Sequence, residues 1–334
     1  MTNFSSTPKL TEADRLLPFS ALGFGLSSIA GSGNFRHQEK LIRTAIDCGV
    51  THFDVAPFYG SGDAEIILGK VLANCSEDVT IITKYGIIPT AAGGGGRLIR
   101  SLLRPVFRKM QGLKSIATRV MAKAGNSSEP VSQVVPGSIK ESVEASLAKL
   151  GRPIDAFLLH DVTDSYALDQ RVISELRAVA SSGSVRATGL SGDASSLRTV
   201  IDANTDVYRV LQMENSLRYH EPLPDARGDT YLITHRALQG GLDRLTFLLH
   251  RHPRFREIWT KRIAGDSIAE EQLPQVLIEL ALHENSGGTV LFSTTKPERI
   301  RELSLATRSP LLNGEQCQRL RKLVQDVSTT AKID

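Results

Sequence analysis

Residues 50–84, VTHFDVAPFYGSGDAEIILGKVLANCSEDVTIITK, decide the fold. Two short runs rich in β-branched and aromatic residues, VTHFD and VTIITK, flank a stretch from Glu65 to Ala73 whose apolar positions recur at helical spacing. Strand, helix and strand in this length make one βαβ unit, whose strands lie parallel. The same alternation continues on both sides. Upstream, LPFSALGFGL supplies an opening strand and His37 to Cys48 a helix that Gly49 ends. Downstream, Ser138 opens SIKESVEASLAKL, with Glu141 placed as the acid of a capping box and Gly151 as the stop.

DAFLLH is then the fourth strand, and SVRATGL, VYRVLQM, DTYLITH and GGTVLFST complete the count. Between them fall helices through Glu175, from Asp193 and from Ile268 to Glu284, with one helical or irregular stretch after VYRVLQM. Pro297 stands in the first turn of a further helix reaching Leu305, and a last helix runs from Gln316 to Val327. Eight strands alternating with eight helices predict an α/β fold, a (β/α)8 TIM barrel, in which reactive groups sit where strands end and loops begin. The reading takes residues 1–334 as one domain carrying a long insertion, 87–136, after the third strand.

Bulk properties agree with a globule of this kind. Of the 334 residues, 41% are hydrophobic and 23% charged, ordinary usage for a soluble protein. Cys48, Cys75 and Cys317 are odd in number, widely spaced and without a C-x-x-C pattern, so neither a disulfide framework nor a metal site is expected. The N-terminus lacks a charged start followed by an apolar run, and nowhere do about 18 apolar residues follow one another. The expectation is an unprocessed cytoplasmic protein with no membrane partner.

Four polar residues fall at strand ends in three consecutive βα units: Asp54 and Tyr59 after the second strand, Lys84 closing the third and His160 closing the fourth. Taken singly, each has an ordinary structural explanation: a turn cap, a half-buried aromatic, a solvated cation, a satisfied core histidine. Together they form a set that reduces a carbonyl. A developing alkoxide needs a proton donor, and a phenol with a pKa near 10 is too weak an acid unless tuned. Lys84 would lower the pKa of Tyr59, Asp54 would hold Lys84 charged and placed, and His160 would orient the substrate oxygen or pass the proton.

FDVAPFYGSGDAEIILGKVL, VTIITKYG and IDAFLLH resemble the motifs around the Asp, Tyr, Lys and His of aldo-keto reductases, and the resemblance extends from about Leu22 to Leu303. GDAEIILG, with Gly62, Glu65 and Gly69, looks most like the branch acting on free sugars, pyridoxal or small aldehydes. The resemblance implies an oxidoreductase that interconverts a carbonyl and an alcohol by hydride transfer, with Tyr59 as general acid and base and a small-molecule carbonyl substrate. It also keeps open a regulatory subunit that binds cofactor on the same barrel without turnover.

No G-x-G-x-x-G follows a strand and opens a helix, so a Rossmann cofactor domain is not expected. In the family the nicotinamide lies across the barrel mouth. By resemblance Ser191 and Gln212 hold its amide, and His235 stands at the usual aromatic stacking position, followed by Arg236; the Asn that commonly follows Ser191 is Gly192. TVLFSTTKPERIREL resembles the family's phosphate-binding strand, turn and helix, which assigns Ser293, Thr294, Thr295, Lys296 and Arg299 to the cofactor. Lys296 and Arg299 favour NADP, because a 2′-phosphate wants cationic donors, and NAD is the alternative.

The net charge of +4 hides an asymmetry: Arg97, Arg100, Arg104, Arg108, Lys109, Lys114, Arg119 and Lys123 fall in one stretch without an acid. Gly93 to Gly96 read as a hinge, and Ile99, Leu102, Leu103, Val106, Phe107, Met110 and Leu113 share a helical face that Pro105 interrupts. This insertion reads as a lid over the site, as a cationic surface packed on the barrel rim, or as a docking face for an acidic membrane or partner. Phe107 is its single interleaved aromatic, which speaks against nucleic acid.

Overall fold

The structure, a computed structural model, describes residues 19–29, 34–88, 131–132, 136–203, 206–218, 223–224, 230–265 and 268–330. Its strands are β1 (Leu22–Gly25), β2 (His52–Asp54), β3 (Thr80–Tyr85), β4 (Ile87–Ile88), β5 (Val131–Ser132), β6 (Ile154–His160), β7 (Val185–Ser191), β8 (Val210–Glu214), β9 (Tyr231–His235) and β10 (Thr289–Phe292). Eight of them close into a parallel barrel in the order β1-β10-β9-β8-β7-β6-β3-β2. The short pair β4 and β5 forms a separate antiparallel ribbon, with Ile87 opposite Ser132 and Ile88 opposite Val131. The ribbon joins the two ends of the insertion; the expectations for Gly93 to Lys123 lie outside the described residues.

Period-two alternation builds both faces of the sheet. Ile82, Ala156, Leu158, Ala187, Val210, Ile233 and Leu291 meet inside the barrel with Phe19, whereas Ile81, Phe157, Leu159, Leu190 and Leu211 pack outward under the helices. A sheet buried on both sides needs such unbroken apolar runs. Gly189 is required at its place, because a Cβ there would stand 1.9 Å from the Val210 carbonyl oxygen.

The helices are α1 (Phe35–Asp47), α2 (Ala64–Leu72), α3 (Ile139–Leu150), α4 (Asp164–Ala167), α5 (Gln170–Ser181), α6 (Ala194–Asp202), α7 (Gly241–Arg251), α8 (Pro253–Trp259), α9 (Leu273–Glu284), α10 (Pro297–Arg308) and α11 (Gly314–Thr330). Most begin or end on the residues the sequence marks. Asp193 caps α6 by accepting from Ser196 N, and Gly151 ends α3 in the left-handed region at φ 63°. The ribbon β4–β5 was not read from sequence, nor were α7 and α8, which follow β9 and bury Leu245, Leu248, Phe255 and Trp259 in a second apolar cluster against α9 and α11.

The capping box at Ser138 and Glu141 does not form. The Ser138 hydroxyl pairs with the Tyr85 hydroxyl at 2.6 Å, and the Glu175 carboxylate reaches across from α5 to accept from Gly137 N and Ile139 N. An anion from another helix therefore satisfies the start of α3. Glu65, buried in α2, accepts from Thr83 Oγ1 at 2.8 Å and from Lys149 Nζ at 2.9 Å, which ties β3 to α2 and α3 beside Lys84.

Candidate active site

The alternation that puts Ile82 inside the barrel also puts Lys84 inside, two residues on and one layer nearer the strand ends. The same step carries Leu158 to His160, Gly189 to Ser191, Val210 to Gln212 and Ile233 to His235. Strand register brings the set to one level: His160 pairs with Ser191, and Ser191 with Gln212. Asp54 ends β2 opposite Ile82. The residues read singly from sequence therefore line one mouth, at the carboxyl ends of the strands.

Lys84 Nζ donates to Asp54 Oδ1 in an ion pair that is almost wholly buried. Tyr59 begins a 3-10 turn, Tyr59–Gly62, directly beyond β2, and Lys84 Nζ lies 5.2 Å from the centre of its ring. His160 meets the edge of Tyr59 with ring centres 6.2 Å apart, and Phe58 packs on both rings, at 4.9 Å from Tyr59 and 5.5 Å from His160. Gly86 lets the backbone leaving β3 pass close to His160: its φ is +137°, and a Cβ there would stand 3.0 Å from the His160 carbonyl oxygen.

Electrostatics correct one expectation. Burial pushes the Tyr59 phenol above its ordinary value; Lys84 pulls it down, as the sequence predicts, but does not outweigh desolvation and the nearby Asp54. Burial also penalises the Lys84 ammonium, yet Asp54 and then Tyr59 more than offset this and its pKa rises, so the cation is firmly held. Burial, with Lys84, His235 and Arg236, holds His160 well below its usual value. Burial, Arg236 and Lys84 lower His235 to about 3. Both imidazoles are thus neutral around pH 7 and able to donate an N–H without carrying charge.

Gln212 differs from its expected part in one respect. Its Nε2 donates to Asp54 Oδ2 at 3.0 Å, while its buried Oε1 has no partner among the described residues. A buried amide oxygen left unpaired is costly, and the site offers this acceptor beside the Tyr59, Lys84 and His160 cluster. A carboxamide N–H of the kind nicotinamide carries would fit it. Ser191, buried at the same level, supplies a second polar group.

The segment Ser293 to Arg299, read from the sequence as phosphate-binding, lies where β10 leaves the barrel. Ser293 Oγ is 2.6 Å from Ser28 Oγ, His37 Nε2 donates to the Thr295 carbonyl oxygen at 2.9 Å, and Thr294 Oγ1 accepts from Lys296 N at 3.2 Å. Lys296 is the N-cap residue of α10 and is exposed; Arg299, one turn in, pairs with Glu302 at 3.1 Å. A helix start carrying hydroxyls and an exposed lysine fits a phosphate-bearing cofactor. Arg236, placed on the cofactor side by the sequence, is engaged by Glu214 at 3.0 Å and has a left-handed φ of 63°.

Sequence reasoning passed over Asp161 and Phe58. Asp161 follows His160 directly, also with a left-handed backbone, φ 49°, and Phe58 stands beside Tyr59; adjacency to the chosen residues was the available signal. Among the described residues, no group of three or more His, Cys, Asp or Glu is arranged to hold a metal, and no helix is long and apolar enough to cross a membrane.

A family model described as Aldo/keto reductase family matches residues 21–227. The NADH-specific methylglyoxal reductase of Escherichia coli (strain K12) is 26% identical over 321 residues, covering 86% of this chain and 89% of its own. Among solved structures, the glycerol dehydrogenase from Gluconobacter oxydans superposes with a TM-score of 0.64 at 19% identity, over 94% of this chain and 96% of that one. An aldo/keto reductase from Klebsiella pneumoniae in complex with NADP and acetate superposes with a TM-score of 0.60 at 19% identity, over 91% of both chains.

Proposed function

The chain belongs to the aldo/keto reductase family, and from that premise we propose that it interconverts a small carbonyl compound and its alcohol with NAD(P), Tyr59 serving as general acid in reduction and general base in oxidation. The observation that carries this reading is the convergence of Tyr59, His160 and the buried Asp54–Lys84 pair at one barrel mouth.

In reduction the carbonyl oxygen sits between the Tyr59 hydroxyl and the neutral His160 imidazole. His160 donates a hydrogen bond that fixes the oxygen, and Tyr59 gives up its proton as negative charge develops there. Lys84 stabilises the resulting phenolate at short range in a place shielded from water. Asp54 is a positioning residue: it keeps Lys84 charged and aimed beneath the Tyr59 ring. Phe58 covers both rings and excludes solvent from the proton path.

A nicotinamide held at the barrel mouth would supply the hydride for reduction and take it up for oxidation. Gln212 Oε1 and Ser191 would hold its carboxamide, His235 would offer a neutral ring for stacking, and Arg236 would border that ring. Ser293, Thr294, Thr295, Lys296 and Arg299 would take the phosphates, with Lys296 and Arg299 favouring NADP. NAD fits the same residues without the 2′-phosphate contact, and the Escherichia coli relative is named NADH-specific.

Two measurements test the reading: NADPH oxidation with a panel of small aldehydes, and NADPH fluorescence titration. Wild type is expected to do both; Tyr59→Phe is expected to bind NADPH and lose about 10²- to 10⁴-fold in turnover. Wild-type-like turnover in Tyr59→Phe, or tight NADPH binding by wild type without oxidation by any aldehyde, overturns it.

A further inference from the structure

Asp161 stands at the exit of β6, one residue beyond His160, and its backbone takes a left-handed conformation, φ 49°. That conformation costs energy for a residue with a Cβ, and Asp is one of the few that adopt it. The surroundings hold it in place: Asp161 N donates to the Ser191 carbonyl oxygen at 2.7 Å, which extends the β6–β7 ladder by one bond before the chain turns away. The result is a carboxylate directed at the reaction site. Its Oδ2 lies 3.9 Å from His160 Nε2, too far for a hydrogen bond, and its side chain is 59% exposed. Its charge is felt at the Tyr59 phenol.

Asp161 also lines an open cleft of about 580 Å³ between the loops that follow β6 and β7, together with Asp164, Gly192 and Asp193. The other two carboxylates are engaged locally. Asp193 Oδ1 accepts from Ser195 Oγ at 2.7 Å and Ser196 N at 2.8 Å, and Asp164 Oδ2 accepts from Thr199 Oγ1 at 3.1 Å. Among the described residues, the Asp161 carboxylate accepts no hydrogen bond. Among the described residues that line it there is no lysine or arginine, though Lys84 and Arg236 lie near enough for their charges to act on Asp161, and Gly192 leaves its wall without a side chain. An acceptor next to His160 with no hydrogen-bond donor among the described residues suits a donor on the substrate.

We propose that Asp161 is a specificity-determining residue whose carboxylate accepts the hydroxyl on the carbon next to the reacting carbonyl, so that the enzyme prefers 2-hydroxy carbonyl compounds to simple aldehydes. The inference rests on the carbonyl-reducing role proposed for Tyr59 and His160. The two oxygens of a 2-hydroxy carbonyl sit about one hydrogen-bond length apart, so an oxygen held by His160 Nε2 places its neighbour against Asp161. A hydroxyl bound to an ionised acceptor gains more than one bound to a neutral group, and an unmatched aldehyde leaves that acceptor without its donor.

The experiment compares lactaldehyde with propanal, which differ by that hydroxyl, in wild type, Asp161→Asn and Asp161→Gly, with NADPH as cofactor. Asn and Gly both tolerate the left-handed backbone, so neither variant is penalised for conformation. In Asp161→Gly the ratio of kcat/KM for lactaldehyde to that for propanal is expected to fall about 10- to 100-fold, mostly through KM, with Asp161→Asn between it and wild type. A ratio unchanged within about twofold overturns the inference, as does an equal loss on both aldehydes, which would assign Asp161 to the support of His160 instead. Wild-type turnover of neither aldehyde removes the carbonyl-reducing reading and this inference together; turnover of both with an unchanged ratio removes this inference alone.

Discussion

Gln212 and Asp54 lie on opposite sides of the barrel, four strands apart in either direction, and the 3.0 Å hydrogen bond from Gln212 Nε2 to Asp54 Oδ2 spans the mouth between them. Asp54 thus takes Lys84 on one oxygen and Gln212 on the other, while the buried Oε1 of Gln212 has no partner among the described residues. One glutamine therefore completes the ion pair and offers the acceptor for the cofactor. Gln212→Leu is expected to cost about 1–3 kcal/mol of stability, because a buried carboxylate oxygen loses its donor. It should also raise the dissociation constant for NADPH about tenfold. Urea unfolding and fluorescence titration measure the two effects; a stability loss with unchanged NADPH affinity would remove Gln212 from the cofactor.

The raised pKa of Tyr59 sets the sign of the pH dependence. A phenol held above its ordinary value of 10 stays protonated through the neutral range and beyond. Aldehyde reduction, which needs the phenol, should be level from about pH 6 to 9 and fall only above that range. Alcohol oxidation, which needs the phenolate, should climb toward alkaline pH. Initial rates in both directions across this range, each at saturating cofactor, give the two profiles. An oxidation rate that is flat in pH would exclude Tyr59 as the base.

Lys84 and Asp54 are coupled through burial. Removing one partner leaves a lone charge in the barrel mouth, so Lys84→Met is expected to lose about 3–5 kcal/mol. The double variant Asp54→Asn with Lys84→Met leaves no charge behind and should recover part of that loss, the non-additivity being the coupling energy. Both lack the ammonium that lowers the Tyr59 pKa, so any residual oxidation should shift further alkaline. Additive stability losses in this cycle would show that the pair is not coupled as its geometry requires.

The positions that form the site follow from a rule already present in the sequence. In β3, β6, β8 and β9 the residue two places before the polar one is apolar and faces the barrel interior: Ile82, Leu158, Val210 and Ile233. A period of two then forces Lys84, His160, Gln212 and His235 inward at the next layer, and the resemblance to a known family supplied their identity as a set. Helices α7 and α8 were not legible, because Gly240, Gly241 and Pro253 break their pattern and their burial depends on α9 and α11, remote in sequence. The capping box failed for the same reason, since a hydroxyl on β3 and a carboxylate on α5 competed for groups that look local. The balance at Tyr59 depends on depth of burial, which no spacing of residues encodes.

Lys296 and Arg299 differ in availability at the proposed phosphate site. Arg299 is engaged by Glu302 at 3.1 Å, whereas the Lys296 side chain is exposed at the start of α10. Lys296→Ala is therefore expected to raise KM for NADPH about tenfold while changing KM for NADH little, and Arg299→Ala to have the smaller effect. Equal changes with both cofactors would place Lys296 at the shared diphosphate instead of the 2′-phosphate.

His52 lies below this chemistry, fully buried in the barrel. Its Nδ1 is 2.9 Å from Thr80 Oγ1, Phe19 meets its ring edge-on at 4.9 Å, and Nε2 has no partner among the described residues. Burial, helped by Lys84 above it, lowers its pKa from 6.5 to about 3. The unfolded chain therefore binds a proton that the folded chain refuses throughout the interval between those values. Stability from this group is present above pH 6.5 and is lost as pH falls toward 3, with a slope of about 1.4 kcal/mol per pH unit for one proton. His160 and His235 add slopes of the same sign. His52→Leu, which keeps an apolar side chain in the interior, should remove one proton's share of the acid sensitivity whatever it does to stability at pH 7. Urea unfolding of both proteins at several points between pH 4 and 6 reads the difference in slope, and parallel curves would mean that His52 is as easily protonated in the folded barrel as in the unfolded chain.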